Sequence, residues 1–398
     1  MGASATTGFE HFGQKLYSTL NQNHTDQNIF LSPASIALAI SMCTVGAREE
    51  TLDQMLHALE FTSTEELIKT SQQILNVFSL AEQDRQIQLK LANRLYSQKA
   101  FQLRDDYLQL VQKSFSADIK LEDFVNESEK VVRTINIWVE EQTNRLIRNL
   151  LTPNDITRDT RLVIINCIYF KGTWIREFNE HSTDQNADFH EANGNTSKIK
   201  LMYQKERFAY AENKQLQIQI VHMPYKNTNK DVKFVFTVVL PNVGVLLSEI
   251  EQTFASKPNL LQDVLNQQNT TSQEILLHIP KFKMETKFEL NAVLEQLGMR
   301  NAFDEKKADL SGIVSKQESG SSLFISKVVH KAFIDVNEHG TEAAAATALI
   351  ASLSCARVRQ PPPIVFRADR PFLFYIREIR QNLTLFAGKF HSATNLSS

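Results

Sequence analysis

The chain has 398 residues, 42% of them hydrophobic, and 43 lysines and arginines stand against 45 acids for a formal net charge of -2. With both signs interspersed, so balanced a charge argues against a nucleic-acid-binding or strongly membrane-attracted protein. Length alone suggests roughly two or three domains, yet no Pro/Gly/Ser-rich linker, charge run or internal repeat divides the chain, and no stretch approaches the roughly 18 apolar residues of a membrane span.

From the amino terminus, Met1 to Gln14 lacks the basic start and apolar centre of a signal peptide. Apolar residues at helical spacing cover 11–21 and 35–59, and 65–81 also reads as helical. Residues 133–151 form an amphipathic helix that carries Trp138 and is stopped by Pro153. Residues 163–170, 232–240, 275–282 and 324–336 are β-branched and aromatic runs of strand length, and the last alternates as a long half-buried strand does. Helices and strands mixed without regular alternation read as α+β.

The signatures of an enzyme are missing. None of the twelve glycines is paired at the spacing of a dinucleotide fingerprint or a nucleophile elbow. His190-Glu191 is not followed by a histidine three residues on, and no two cysteines lie close enough to chelate zinc. No catalytic residue, metal or cofactor is therefore expected.

Three cysteines, Cys43, Cys167 and Cys355, are an odd number without metal or redox spacing, so a disulfide framework is not expected. With the untargeted start this favours a cytoplasmic home. Glycosylation-type triplets at Asn23, Asn126, Asn195, Asn269, Asn382 and Asn395 point the other way; a secreted protein is the alternative if the chain is a mature form.

Residues 338–347 read Glu-His-Gly-Thr-Glu-Ala-Ala-Ala-Ala-Thr and run, through a glycine-free stretch with no further acid, into Pro361-Pro362-Pro363. On propensity, Thr341 to Leu353 is an alanine-rich helix capped by a threonine. In the other reading it is a strand, with Thr341, Ala343, Ala345, Thr347 and Leu349 on one face and Glu342, its one charge, on the other.

Several separated blocks bear on that choice. They are Asn28-Ile29-Phe30-Leu31-Ser32-Pro33-Ala34-Ser35-Ile36, then Asn166-Cys167-Ile168-Tyr169-Phe170-Lys171-Gly172-Thr173-Trp174, Ile279-Pro280-Lys281-Phe282, Val329-His330-Lys331-Ala332 before the alanine stretch, and Phe366 to Phe374 with Phe386 to Phe390. Together, in this order from about residue 8 to residue 391, they resemble the serpins, inhibitors that trap proteases by inserting a cleaved loop into a β-sheet. The loop run Ser354-Cys355-Ala356-Arg357 resembles that of certain intracellular, ovalbumin-like serpins.

The resemblance implies one α+β domain over 1–398 with three β-sheets, about nine helices and an exposed reactive-centre loop at about 338–363. It implies that Ser32, Ser35, Asn166 and His330 meet beneath the central sheet as a polar shutter, and that Trp174, Lys281 and Glu338 meet at the breach where the loop would enter. A hinge of Glu338, Gly340, Thr341, Glu342, Ala343, Ala344, Ala345, Ala346 and Thr347 would lead the insertion, Thr341 turning inward as it does so. Counting the family's usual spacing from Glu338 places the reactive bond at Ser354-Cys355. Arg357, reached by counting back from Pro371, and Leu353 are the alternatives.

The implied function is suicide inhibition of a serine protease, or less favourably a cysteine protease, in a covalent one-to-one complex with a monomeric inhibitor. A non-inhibitory carrier, chaperone or storage serpin is the alternative, although such members usually spoil the hinge with bulky, charged or proline residues. Residues 65–81 carry too few lysines and arginines for a heparin-binding helix, and no nucleic-acid or membrane partner is expected.

Overall fold

The computed structural model describes residues 7–316, 322–341 and 363–394. Nine α-helices occur among them. Two depart from the boundaries read in sequence. The helix expected over 35–59 is split into Pro33–Thr44 and Glu49–Ala58, because the backbone between them turns and bonds in part to a distant segment. The Arg48 N–H donates to the Asp309 carbonyl, and the Gly46 carbonyl accepts from the Gly312 N–H. Gly46 must be a glycine here, since a Cβ would lie 2.3 Å from Ile313 Cγ1.

The helix expected over 133–151 runs instead from Ser128 to Gln142. It stops where Asn144 and Arg145 take positive φ, a conformation that ends a helix. The chain beyond is held from the side, with both polar atoms of the Asn136 amide bonded to the Leu151 backbone. Residues 65–81 lie in the helix Thr64–Glu82, whose cap is Ser63.

The strands form one continuous hydrogen-bonded path and a separate ribbon of Gln102–Leu103 with Val314–Lys316. The path is two sheets sharing one bent strand, Thr271–Glu289. Residues 271–281 of that strand pair with Thr196–Asn213, and residues 282–289 pair with Ile325–Asn337. The second of these sheets, the central one, runs in the order Asp118–Glu122, Ile87–Gln98, Leu162–Thr173, Ile325–Asn337 and 282–289.

One pairing in it stands apart. Leu162–Thr173 and Ile325–Asn337 lie side by side as parallel neighbours, from Leu162 opposite Ile325 to Tyr169 opposite Phe333. Above that point the short strand Gly340–Thr341 enters between them, antiparallel to both. Among the described residues, the other pairings of Leu162–Thr173 and Ile325–Asn337 with long strands are antiparallel. This seam therefore joins strands that are distant in sequence and linked by no hairpin.

Both faces of the central sheet are covered, as an almost unbroken apolar strand such as Leu162–Thr173 requires. Beneath it lies the aromatic core. Phe30 stacks on Phe374 and Phe386, Phe374 on Phe236, and Phe170 meets Tyr225 edge-on. Above it, Val131, Ile135 and Val139 of Ser128–Gln142 pack on Val163, Ile165 and Val329, which belong to the two seam strands. The Arg94 guanidinium lies 4.1 Å from the Trp138 ring centre and fixes one edge of that helix. Behind the helix, Lys331 Nζ donates to the Arg148 carbonyl at 2.8 Å and Lys327 pairs with Asp155 at 2.8 Å.

Candidate functional site

Two polar clusters sit on the seam. The lower one starts from Ser32, which caps the helix Pro33–Thr44 by accepting a bond from the Ser35 N–H. Pro33 at the first helical position suits this cap, since its missing N–H would have no partner there. The cap presents Ser32 and Ser35 to the underside of the sheet, where Asn166 and His330 stand opposite each other on the two seam strands. Ser35 Oγ donates to Asn166 Oδ1 at 3.0 Å, and Asn166 Nδ2 donates to the Ser35 carbonyl at 3.1 Å. Ser32 Oγ donates to the Leu385 carbonyl at 2.6 Å.

The imidazole of His330 closes the network. Its Nε2 accepts from the Ser32 N–H at 3.2 Å, so Nδ1 carries the proton that goes to Asn166 Oδ1. A second ring proton would face the Ser32 N–H. Burial alone lowers the imidazole to about 3, and the neutral tautomer satisfies every partner present. Asn93, which the sequence motifs do not single out, completes the set: it is the register partner of Asn166 and accepts from its Nδ2. Its signal is an amide in the middle of a strand, at a position shared with no recognised motif.

The upper cluster surrounds the mouth of the seam. Glu338 is buried, with 3% of its side chain exposed, at the turn that follows Ile325–Asn337. One carboxylate oxygen accepts from Lys281 Nζ at 2.7 Å and the other from Thr183 Oγ1 at 2.8 Å. Burial would raise this carboxyl, but the bonds from Lys281 and Thr183 outweigh it and leave the group below its usual value. Trp174 donates from its ring to the Asn337 carbonyl at 2.9 Å and stacks on Tyr225, with ring centres 4.5 Å apart.

Gly340 and Thr341 lead into the seam. The approach of backbones is so close that a Cβ at 340 would stand 2.0 Å from the Gly172 carbonyl oxygen. Thr341 is fully buried, its hydroxyl 2.7 Å from that of Tyr225. The family resemblance implies that Thr341 turns inward on insertion; here its side chain already faces inward, with the Tyr225 hydroxyl as its partner beneath the sheet. The inward face of the strand is therefore set before the alanines begin.

Glu342, Ala343, Ala344, Ala345, Ala346, Thr347, Leu353, Ser354, Cys355 and Arg357 lie outside the described residues. Cys43 and Cys167 are buried free thiols, and burial pushes Cys167 up to about 12 and raises Cys43 still further, so neither is a nucleophile near neutral pH. Among the described residues no group of three His, Cys, Asp or Glu side chains is placed to hold a metal, and no helix is long and apolar enough to cross a membrane.

Known proteins share this architecture from end to end. The family described as "Serpin (serine protease inhibitor)" matches residues 7–393. Human leukocyte elastase inhibitor is 36% identical over 381 residues, which covers 96% of this chain and 97% of the relative. Human serpin B11 is 34% identical over 408 residues, covering 98% and 100%. Among solved structures, Arabidopsis AtSerpin1 in its native stressed conformation superposes with a TM-score of 0.87 at 28% identity, covering 99% of this chain and 100% of that one. Uncleaved ovalbumin gives 0.83 at 28% identity, covering 98% and 100%. With the seam, its polar clusters and these matches together, the chain belongs to the serpin family.

Proposed function

We propose that the protein is a suicide-substrate inhibitor of serine proteases, with residues 1–398 forming one domain. The observation that carries this reading is the seam itself. Two strands pair in parallel below a point where Gly340–Thr341 already lies between them, and residues 343–348 are all small. A strand made of them could extend the wedge downward and replace one parallel ladder with two antiparallel ones.

In the proposed cycle the protease serine attacks a loop carbonyl, an acyl ester forms as the peptide bond breaks, and the new amino terminus leaves the protease on the carboxy-terminal fragment, whose strands Phe372–Glu378 and Leu383–Phe390 stay paired in the fold. The arm from Gly340 to about Leu353 is then free to insert as a central strand, the behaviour for which serpins are known. Alanines favour speed because they lose no rotamer entropy on burial. Insertion must outrun hydrolysis of the ester, and holding that hydrolysis back by about a million-fold corresponds to roughly 8 kcal/mol of lost transition-state stabilisation. A metastable resting fold, with its strand withheld, supplies the driving force.

In this reading Ser32, Ser35, Asn166 and His330 act as a shutter that holds the seam and releases it, and Trp174, Lys281 and Glu338 form the breach where insertion starts. The reactive bond is Ser354-Cys355, with Arg357 and Leu353 as alternatives. Relatives named for elastase support a small residue there, since the elastase pocket takes small side chains. We assign the protein as a cytoplasmic monomer that forms a covalent one-to-one complex. Incubation with elastase-, trypsin- and chymotrypsin-like proteases tests the reading. A band that survives a denaturing gel is expected, and clean cleavage by all three without such a band would overturn it.

A further inference from the structure

The turn that carries the hinge is tied across the mouth of the seam by a histidine. His339 follows the seam strand Ile325–Asn337, and its ring reaches the segment that continues the other seam strand, Leu162–Thr173. There Nδ1 lies 3.0 Å from Glu177 Oε2 and Nε2 lies 2.9 Å from Glu180 Oε1. A neutral imidazole has one N–H and can donate to only one of these carboxylates, leaving a lone pair against the other. The imidazolium donates to both. The backbone reinforces the same connection, with the Trp174 N–H bonded to the His339 carbonyl and the Phe178 N–H to the Glu338 carbonyl.

We propose that His339 is a positioning residue for loop insertion: its imidazolium straps the two seam strands together at the mouth, and its deprotonation frees the mouth to widen. This rests on the inhibitory reading above and adds a pH dependence to it. Glu177 and Glu180 face the ring directly, Glu177 is shared with Lys226 at 2.7 Å, and the carboxylate of the adjacent Glu338 is taken by Lys281 and Thr183. The bond to Glu177 is the main reason the ring is raised above its ordinary value, with Glu180 adding to it. For a raised group the strap is fully formed below the ordinary imidazole range and is lost as pH rises through the folded value. Insertion is thus slowed in mild acid, and more inhibitor is consumed as plain substrate.

The test compares wild type with His339→Gln against one trypsin- or elastase-like protease at pH 5.5, 7.5 and 9.0, counting molecules of inhibitor cleaved per protease trapped. The dependence of the protease on pH, and that of His330, are common to both proteins and cancel in their ratio. We expect the wild-type to variant ratio to rise by about three- to tenfold on acidification, the scale of one lost charge-assisted bond. Glu180→Gln, which removes one acceptor from the exposed side, should shrink that rise. A ratio that stays constant with pH overturns the role of His339 while leaving the inhibitory reading intact. Failure of the wild type to trap any protease at pH 7.5 overturns both.

Discussion

Asn166 and His330 are register partners across the parallel seam, and the imidazole donates from Nδ1 to the carboxamide oxygen of Asn166. The strands that must part for insertion are thus joined by a side-chain bond as well as by their ladder. Only a neutral ring fits, because Nε2 accepts from the Ser32 N–H.

This geometry predicts a loss of stability in acid. The folded His330 is lowered to about 3 from its ordinary 6.5, so between those values the unfolded chain binds a proton that the folded chain does not. Stability is then fully present above about 6.5 and falls as pH drops toward 3, by up to ~1.4 kcal/mol per pH unit for this one group. His330→Gln, which keeps a donor and an acceptor but cannot titrate, should show a shallower decline in melting temperature over that range. Parallel curves for the two proteins would refute the assignment.

Cleaving the loop without trapping a protease should raise the thermal midpoint by roughly tens of degrees, because the inserted strand gains hydrogen bonds on both edges. Calorimetry of intact and nicked protein reads this directly. An unchanged midpoint would favour a carrier or storage role.

Thr341→Arg would place a long charge where the threonine is already fully buried beside Tyr225, at a cost of several kcal/mol. The hinge should be expelled from the mouth of the seam. Cleavage by a target protease should continue at a similar rate while the yield of covalent complex collapses, and Thr341→Ser should retain it. Full complex formation by the arginine variant would contradict the mechanism.

Thr183→Val would remove the one side-chain bond of Glu338 that comes from the Leu162–Thr173 side of the mouth, leaving Lys281 to satisfy a buried carboxylate. We expect a loss of about 1–3 kcal/mol in denaturant unfolding, together with faster uptake of a synthetic peptide spanning residues 341–352. Unaltered uptake would show that Glu338 does not gate the seam.

Mass spectrometry of the carboxy-terminal fragment, separated by denaturation after cleavage, identifies the reactive bond. A fragment beginning at Cys355 supports the assignment, one at Val358 places the cut after Arg357, and one at Ser354 places it after Leu353. If Cys355 follows the cut, alkylating it should also slow association, since its side chain would enter the first leaving-group pocket of the protease.

Several of these residues are legible in the amino-acid sequence itself. Pro33 after Ser32 announces a capped helix start, and Gly340 ahead of an alanine-rich run announces a sharp change of backbone direction. The β-branched runs mark the two seam strands, because residues that fit a pleated, doubly covered surface carry that preference locally. Other features are not legible there. The break at 45–48 depends on Asp309 and Gly312, and the early stop at Gln142 depends on left-handed Asn144 and on Arg145, a residue type that rarely takes that conformation.

Local chemistry, then, determined where helices cap, which runs become strands and which segment is small enough to enter a sheet. The resemblance to serpin sequence blocks singled out the shutter, breach and hinge residues. Only the tertiary structure decided that Leu162–Thr173 and Ile325–Asn337 lie side by side, that Asn93 joins Asn166, that Thr341 is already turned inward, and that His339 reaches both Glu177 and Glu180. The physical reason is distance along the chain. Parallel pairing and side-chain bonds across 73 or more residues depend on the closure of long loops and on shape, and neither is written in the periodicity of a single segment.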